Sequence, residues 1–172
     1  MTEILETDRL ILKPRQVGEA AVYRHLWTER DERVPPHRRI DREGRPTVED
    51  MAAVIDGERD EPGPRLLAVY VKDPDELIGY CGLIPREGGR HDEPELAFEL
   101  LRATHGRGYA TEAARAVVEW ADAAGYGCLW ASVWDWNVAS RRVLQKVGFR
   151  ETGRVEAESE HGRSLLTVRT PH

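Results

Sequence analysis

Apolar and polar residues recur with two periods along this chain, and the two periods divide it into strands and helices. Residues 7–14 hold Leu10, Ile11 and Leu12 ahead of Pro14, predicting a first strand that the proline ends. Residues 19–27 place Ala20, Tyr23 and Trp27 near helical spacing. Residues 28–46 are polar, carry charges of both signs and contain Pro35-Pro36, so they predict a loop. Residues 47–60 predict a second helix, with Thr47 as N-cap, Asp50 three residues on, and Met51 and Ile55 one turn apart. The apolar runs 66–71 and 77–84 flank a polar Lys-Asp-Pro-Asp-Glu segment and predict a hairpin. Gly79 and Gly82 within the second run mark places where another backbone comes close.

The stretch 95–124 organises the rest. Leu96, Phe98 and Leu100 alternate with Glu95, Ala97 and Glu99, which is a strand and closes an antiparallel meander of three. Ala110, Ala113, Ala114, Val117, Val118 and Ala121 then form one apolar helix face, stopped at Gly125. Residues 129–133 read as a strand. Asn137 caps a helix whose Val143, Leu144 and Val147 face inward and which Gly148 closes. Residues 149–155 and 164–170 read as strands around a polar turn at 156–163. The order predicts an α+β fold with a mixed sheet of about seven strands, in one domain spanning residues 1–172.

Composition narrows the class. The chain is 40% hydrophobic and 33% charged, as soluble globular proteins are. No apolar run could span a bilayer, and the acidic N-terminus is no secretory signal, so a cytoplasmic protein without a membrane partner is expected. A net charge of −6 argues against nucleic acid. Lysine occurs only at 13, 72 and 146, against 22 arginines. Cys81 and Cys128 lie in apolar, strand-like segments without metal-ligand spacing; both are expected to be buried free thiols, and no metal is expected.

Candidate chemistry centres on His105-Gly106-Arg107-Gly108-Tyr109-Ala110, between strand and helix. The first N–H groups of a helix lack internal partners and sit at its positive end. Gly106 and Gly108 have no Cβ, so a phosphate can approach that backbone, and Arg107 adds charge. An ordinary glycine corner fits the same spacing. A Walker loop is excluded because no lysine follows either glycine. A dinucleotide fingerprint is excluded because Thr111 stands where a third Gly or Ala belongs.

The run Gly-Arg-Gly-Tyr-Ala-Thr-Glu-Ala after a Glu-Leu-Ala-Phe strand resembles the acetyl-CoA-binding motif of GNAT acyltransferases. Ala103 stands where that family usually has Gln or Arg. Residues 137–149, Asn-Val-Ala-Ser-Arg-Arg-Val-Leu-Gln-Lys-Val-Gly-Phe, resemble the family's second signature, at the family's spacing. The Thr-Asp-Arg-Leu-Ile-Leu-Lys-Pro opening is similar to the RimJ/RimL branch, which acetylates protein N-termini and various small amines. The resemblance covers nearly the whole chain. It implies a GNAT-like, mostly antiparallel sheet with helices on both faces. It also implies a V-shaped splay holding acetyl-CoA as co-substrate, and an amine acceptor. A homodimer fits the base rates.

The same resemblance implies roles for individual residues. Backbone groups near Leu100, Leu101 and Arg102 would bind the thioester and pantetheine. The turn from His105 and Gly106 through Arg107, Gly108, Tyr109 and Ala110 to Thr111 would hold the pyrophosphate. Asn137 would bond the pantetheine arm, while Arg142 and Lys146 suit CoA phosphates or the surface equally. Many relatives have a proton-donating Tyr where this chain has Leu144, which leaves Ser140 to stabilise the departing thiolate. Glu95 matches the family's strand glutamate and is the first candidate for general base; Glu99 shares its face and is second. Three functions follow: acetylation of a peptide or protein α-amine, acetylation of a small amine, or acyl-CoA binding without catalysis. Glu156, Glu158 and Glu160 would favour a cationic acceptor or simply form a solvated turn.

Overall fold

The computed structural model describes residues 4–171. The elements run β1 (Leu5–Glu6), β2 (Leu10–Pro14), α1 (Ala20–Thr28), α2 (Val48–Glu58), β3 (Leu66–Val71), β4 (Glu76–Ile84) and β5 (Glu95–Leu100). After these come α3 (Tyr109–Ala123), β6 (Leu129–Trp134), α4 (Val138–Lys146), β7 (Arg150–Ser159) and β8 (Gly162–Arg169). One sheet of eight strands has the order β1-β2-β3-β4-β5-β6-β8-β7. Every neighbouring pair is antiparallel except β5 and β6, which are parallel and meet at a single residue pair, Glu95 opposite Trp130.

Helices cover both faces of the sheet. The apolar stripe of α3, with Ala113, Ala114, Val117, Val118 and Ala121, packs on Leu67, Val69 and Leu96, and Leu144 of α4 joins the same core. On the opposite face Ala20, Tyr23 and Leu26 of α1 and Ile55 of α2 pack on Ala68 of β3. Strand alternation sends neighbouring residues of β3 to the two cores. Fully burying a side chain such as Leu26, which is 1% exposed, contributes about 1.5–3 kcal/mol. The two strand glycines are close approaches. A Cβ on Gly79 would lie 2.1 Å from the Glu99 carbonyl oxygen, and one on Gly82 would lie 2.3 Å from that of Arg65.

Three expectations change. The sheet gains β1 as an eighth strand, because residues 7–10 form a turn instead of extending β2, with Thr7 N bonded to Leu10 O. The polar segment 156–163 is mostly strand: β7 continues to Ser159. It is an edge strand exposed along nearly its whole length, so it has no buried face to impose alternation. Cys81 is a buried free thiol, but Cys128 is only half-buried and precedes β6, as the helix-to-strand connection ends there.

The N-terminal turn fixes the start of α3. Glu112, in the first turn of that helix, accepts hydrogen bonds from Thr7 Oγ1 at 2.6 Å, Arg9 N at 2.9 Å and Arg9 Nε at 2.7 Å. The Arg9 guanidinium also lies over the Tyr109 ring and donates to the Arg107 carbonyl. Burial pushes the Glu112 carboxyl up, but the bonds from Thr7 and Arg9 outweigh it and hold the group below its ordinary value. Glu112→Ala should therefore lower unfolding free energy by about 1–3 kcal/mol in urea titrations at pH 7. Since the folded-state value is depressed, this contribution is present above the unfolded carboxyl's value of about 4.3 and fades as pH falls through the folded one. The gap between wild type and Glu112→Ala should narrow in that acid range; a gap independent of pH would show that the carboxylate's charge is immaterial.

Candidate active site

The sheet opens where β5 and β6 part. Trp130 N bonds to the Pro94 carbonyl, which starts the parallel ladder. In a continued parallel ladder the next outward amide, that of Ser132, would reach back to a β5 carbonyl. Instead Ser132 N donates to Glu95 Oε1 at 3.2 Å. The carboxylate thus takes the amide that the divergence would orphan, and beyond it the strands separate toward Leu100 and Trp134.

Alternation decides which β5 groups face the opening. The Leu101 amide bonds to the Ile78 carbonyl of β4 at 2.7 Å, and odd-numbered β5 residues share that direction. The Phe98 and Leu100 amides point the other way, into the cleft. Of the two leucines expected to bind thioester and pantetheine, Leu101 thus has its amide bonded within the sheet, while the Leu100 amide, like that of Phe98, is directed into the opening. The Leu100 carbonyl accepts from His105 Nε2 at 2.8 Å, and because a carbonyl can only accept, Nε2 carries the proton. His105 thereby ties the glycine turn to the strand end.

The turn itself is built for close approach. Gly106 and Gly108 have φ of 76° and 80°, the left-handed region that favours glycine. The first bond into α3 runs from Glu112 N to Gly108 O at 3.0 Å, which leaves the amides of Tyr109, Ala110 and Thr111 without helical partners. Three amides, a positive helix end and the Arg107 side chain form a fitting cradle for a pyrophosphate. At the far side of the cleft Asn137 Oδ1 accepts from Ser140 N at 3.1 Å and starts α4. The Ser140 hydroxyl has no hydrogen-bond partner among the described residues. Leu144, 3% exposed, belongs to the core.

Other expected site residues lie elsewhere. Glu99 is held by Arg30, whose Nε and Nη2 donate to its two oxygens at 2.9 and 2.7 Å, and by the Tyr80 hydroxyl at 2.9 Å. Both Glu99 oxygens are thus occupied by donors from the protein itself. Arg102 turns away from the cleft: its amide donates to Glu29 Oε2 at 2.9 Å and its Nη2 to the Glu29 carbonyl at 2.5 Å. Arg142 lines a separate cavity of about 510 Å³ between α4 and the start of β7, with Val133, Val138, Gln145 and Phe149. Lys146 is exposed in the last turn of α4.

Sequence pattern did not single out Arg30 or Ser132, and it offered Glu156 only as one of three turn carboxylates. Arg30 is one of several arginines in a loop without periodicity. Glu156 sits in the strand read as a turn; it accepts from Ser132 Oγ at 2.5 Å and from Arg86 Nη2 at 2.7 Å. Burial pushes the Glu156 carboxyl up, but those two bonds win and hold it low. Arg9 carried a legible signal, the Thr-x-Arg opening, yet its contact with Glu112 spans the chain and only folding reveals it. Among the described residues no helix is long and apolar enough to cross a membrane, and no cluster of candidate ligands could hold a metal ion.

Comparison with known proteins agrees with this geometry. Residues 9–150 match the model of the acetyltransferase (GNAT) domain. An uncharacterised N-acetyltransferase, p20 from Bacillus licheniformis, is 26% identical over 171 residues, covering 95% of this chain and 92% of that one. The GNAT-family acetyltransferase from Bacillus anthracis superposes with a TM-score of 0.80 at 17% identity, covering 98% of each chain. Spermidine N-acetyltransferase from Vibrio cholerae, solved with CoA and spermine, superposes at 0.76 with 15% identity over 95% of this chain and 96% of that one. At these identities the two solved structures establish a shared fold, and the match over residues 9–150 establishes the family. This chain belongs to the GNAT family of acetyltransferases, enzymes that take their acetyl group from acetyl-CoA.

Proposed function

We propose that this protein acetylates a primary amine by direct attack within a ternary complex, and that the acceptor is the α-amine of a peptide or protein. The observation that carries the reading is the break between β5 and β6, with Glu95 at its vertex and the glycine cradle at its mouth. The similarity of the Thr-Asp-Arg-Leu-Ile-Leu-Lys-Pro opening to the RimJ/RimL branch supports the α-amine acceptor. A small amine is the second reading, supported by the fold shared with a spermidine acetyltransferase.

The chemistry assigned to these residues balances simply. The amine nitrogen attacks the thioester carbon, the C–N bond forms, the C–S bond breaks, and CoA leaves as thiolate. The amides of Phe98 and Leu100 polarise the thioester and order the pantetheine. Ser140, with its hydroxyl uncommitted, donates to the sulfur as charge develops there. An α-amine, with a value of about 7.7–8.0, is mostly protonated at pH 7 and must shed a proton. Glu95 accepts it, directly or through water: one oxygen is held by Ser132 N, and the other has no partner among the described residues. Holding amine and thioester together supplies much of the remaining acceleration.

Gly108→Val should abolish measurable acetyl-CoA binding by calorimetry in a protein whose circular dichroism is unchanged. The substitution puts a branched side chain at a φ of 80° and into the phosphate approach, with Arg9 Nη2 already 3.4 Å from the Cβ position. Unaltered affinity would place the pyrophosphate elsewhere.

Ser140→Ala is expected to lower kcat with little change in acetyl-CoA affinity, because a bond to developing thiolate counts in the transition state. Equal kcat in the two proteins would remove Ser140 from the mechanism.

Glu95→Gln retains an oxygen acceptor for Ser132 N and removes basicity. It should cut kcat/KM by about 10²–10⁴-fold near neutral pH and recover partly at high pH as free amine accumulates. A pH–rate profile overlaying that of the wild type would leave Glu95 with the strand-capping role alone.

A further inference from the structure

The acceptor side of the cleft is the sheet face that carries Glu95, Ala97 and Glu99 on β5 and Trp130, Ser132 and Trp134 on β6, with the 28–46 loop above it. Its charges follow a pattern. Glu99 is bound bidentately by Arg30, which is 10% exposed and also donates from Nη1 to the Arg38 carbonyl at 2.7 Å. Glu156 is bound by Arg86 at 2.7 Å and by Ser132. Asp135, after β6, is paired with Arg163 at 3.4 Å. Glu95 differs: it touches the same Ser132 as Glu156, but its bond is to the backbone amide and no cation accompanies it.

The aromatic surfaces repeat the pattern. A tryptophan face attracts cations. Here Arg86 lies 4.7 Å from the Trp130 ring centroid, Arg33 lies 4.2 Å from that of Trp136, and Arg30 lies 4.0 Å from that of Trp27. Trp134 stacks on Trp136 with ring centroids 6.3 Å apart. The carboxylates of Glu99 and Glu156 and the faces of Trp27, Trp130 and Trp136, which could receive a second ammonium on the acceptor, are already served by the protein's own arginines. Glu158 and Glu160 stand at the exposed tip of the β7–β8 hairpin, with Arg163 opposite Glu158.

Resting on the amine-acetyltransferase reading, we infer that the acceptor is a monoamine, and that Arg30 and Arg86 set this specificity by occupying the carboxylates and ring faces a polyamine would need. A single ammonium meets Glu95, which can take its proton. A second one, held a few ångströms away by an alkyl chain, gives up water without gaining a partner and meets the Arg86 and Arg30 guanidiniums. Specificity comes from this unfavourable element as much as from any attraction.

The test is a steady-state comparison of acetyl transfer to 2-phenylethylamine, a neutral peptide with one free α-amine, putrescine and spermidine. Wild type, Arg86→Gln and Arg86→Gln/Glu156→Gln are compared, with acetyl-CoA affinity measured for each. Wild type should favour the better monoamine over spermidine by about 10–100-fold in kcat/KM. Arg86→Gln frees the Glu156 carboxylate and the Trp130 face, so the ratio of spermidine to monoamine should rise about tenfold; the double substitution, which leaves only the ring face free, should bring it most of the way back toward the wild-type value. Spermidine turned over by the wild type as well as the monoamines overturns the inference alone. A ratio unmoved by Arg86→Gln, or one as high in the double variant as in Arg86→Gln, removes the role given to the Arg86–Glu156 pair. No transfer to any of the four amines by a protein that binds acetyl-CoA overturns the transferase reading and the inference with it.

Discussion

A parallel strand pair that stops after one residue pair leaves backbone groups without partners, and the fold depends on how they are satisfied. An amide buried without a hydrogen bond costs about 1–3 kcal/mol, enough to close the gap or unravel the edge unless something replaces the ladder. Glu95 supplies that replacement at its vertex through Ser132 N. At the mouth, His105 takes the Leu100 carbonyl, while the amides of Phe98 and Leu100 remain directed into the opening. The cleft is thus a defect in the sheet that is stabilised at both ends, and its unpaired middle is a row of donors for an extended ligand.

The elements around this opening are pinned by charges that act over long sequence separations. Adjacent residues Glu29 and Arg30, just beyond α1, reach two different parts of the site: Glu29 binds Arg102 at the start of the glycine turn, and Arg30 binds Glu99 on β5. A shift of α1 would therefore be felt both at β5 and at the start of the glycine turn. On the opposite face Arg9 and Thr7 join the first strands to Glu112, so the phosphate cradle rests on the N-terminal segment as well as on its own helix. Exposed ion pairs contribute little by themselves, about 0–1 kcal/mol. These pairs have a larger part in orientation, because each fixes the angle at which a loop meets the sheet.

Such a distribution lets an acidic chain hold Glu99 of β5 and Glu156 of β7 each paired with an arginine on the sheet face beside the opening. The net charge of −6 belongs to the whole surface. Arginines from the 28–46 loop and from the segment after β4 pair with Glu99 and Glu156, whereas Glu95, next to the point where the strands part, has no cation beside it among the described residues. Net composition carries no information on this local balance, since it depends on which side chains meet.

Features that depend only on neighbouring residues were determined by local chemistry. Thr47 and Asn137 cap helices because their side-chain oxygens reach an amide three residues on, and both do so in the fold. Gly106, Gly108, Gly125 and Gly148 take left-handed backbone angles at the turns where the pattern put them. The stripe of α3 is buried as its period required, and the two signatures bracket the cleft. Long-range meetings were decided only by tertiary structure. Glu95 and Glu99 are equivalent by alternation; the first faces a departing strand, and the second faces an arginine 69 residues away. Leu100 and Leu101 differ in one respect that no composition encodes, the side of β5 on which the ladder continues. The second half of β7, residues 156–159, stayed hidden because an edge strand wet on both faces has no pattern to read. Periodicity reports burial against a partner, and where the partner comes from distant sequence, only the folded chain identifies it.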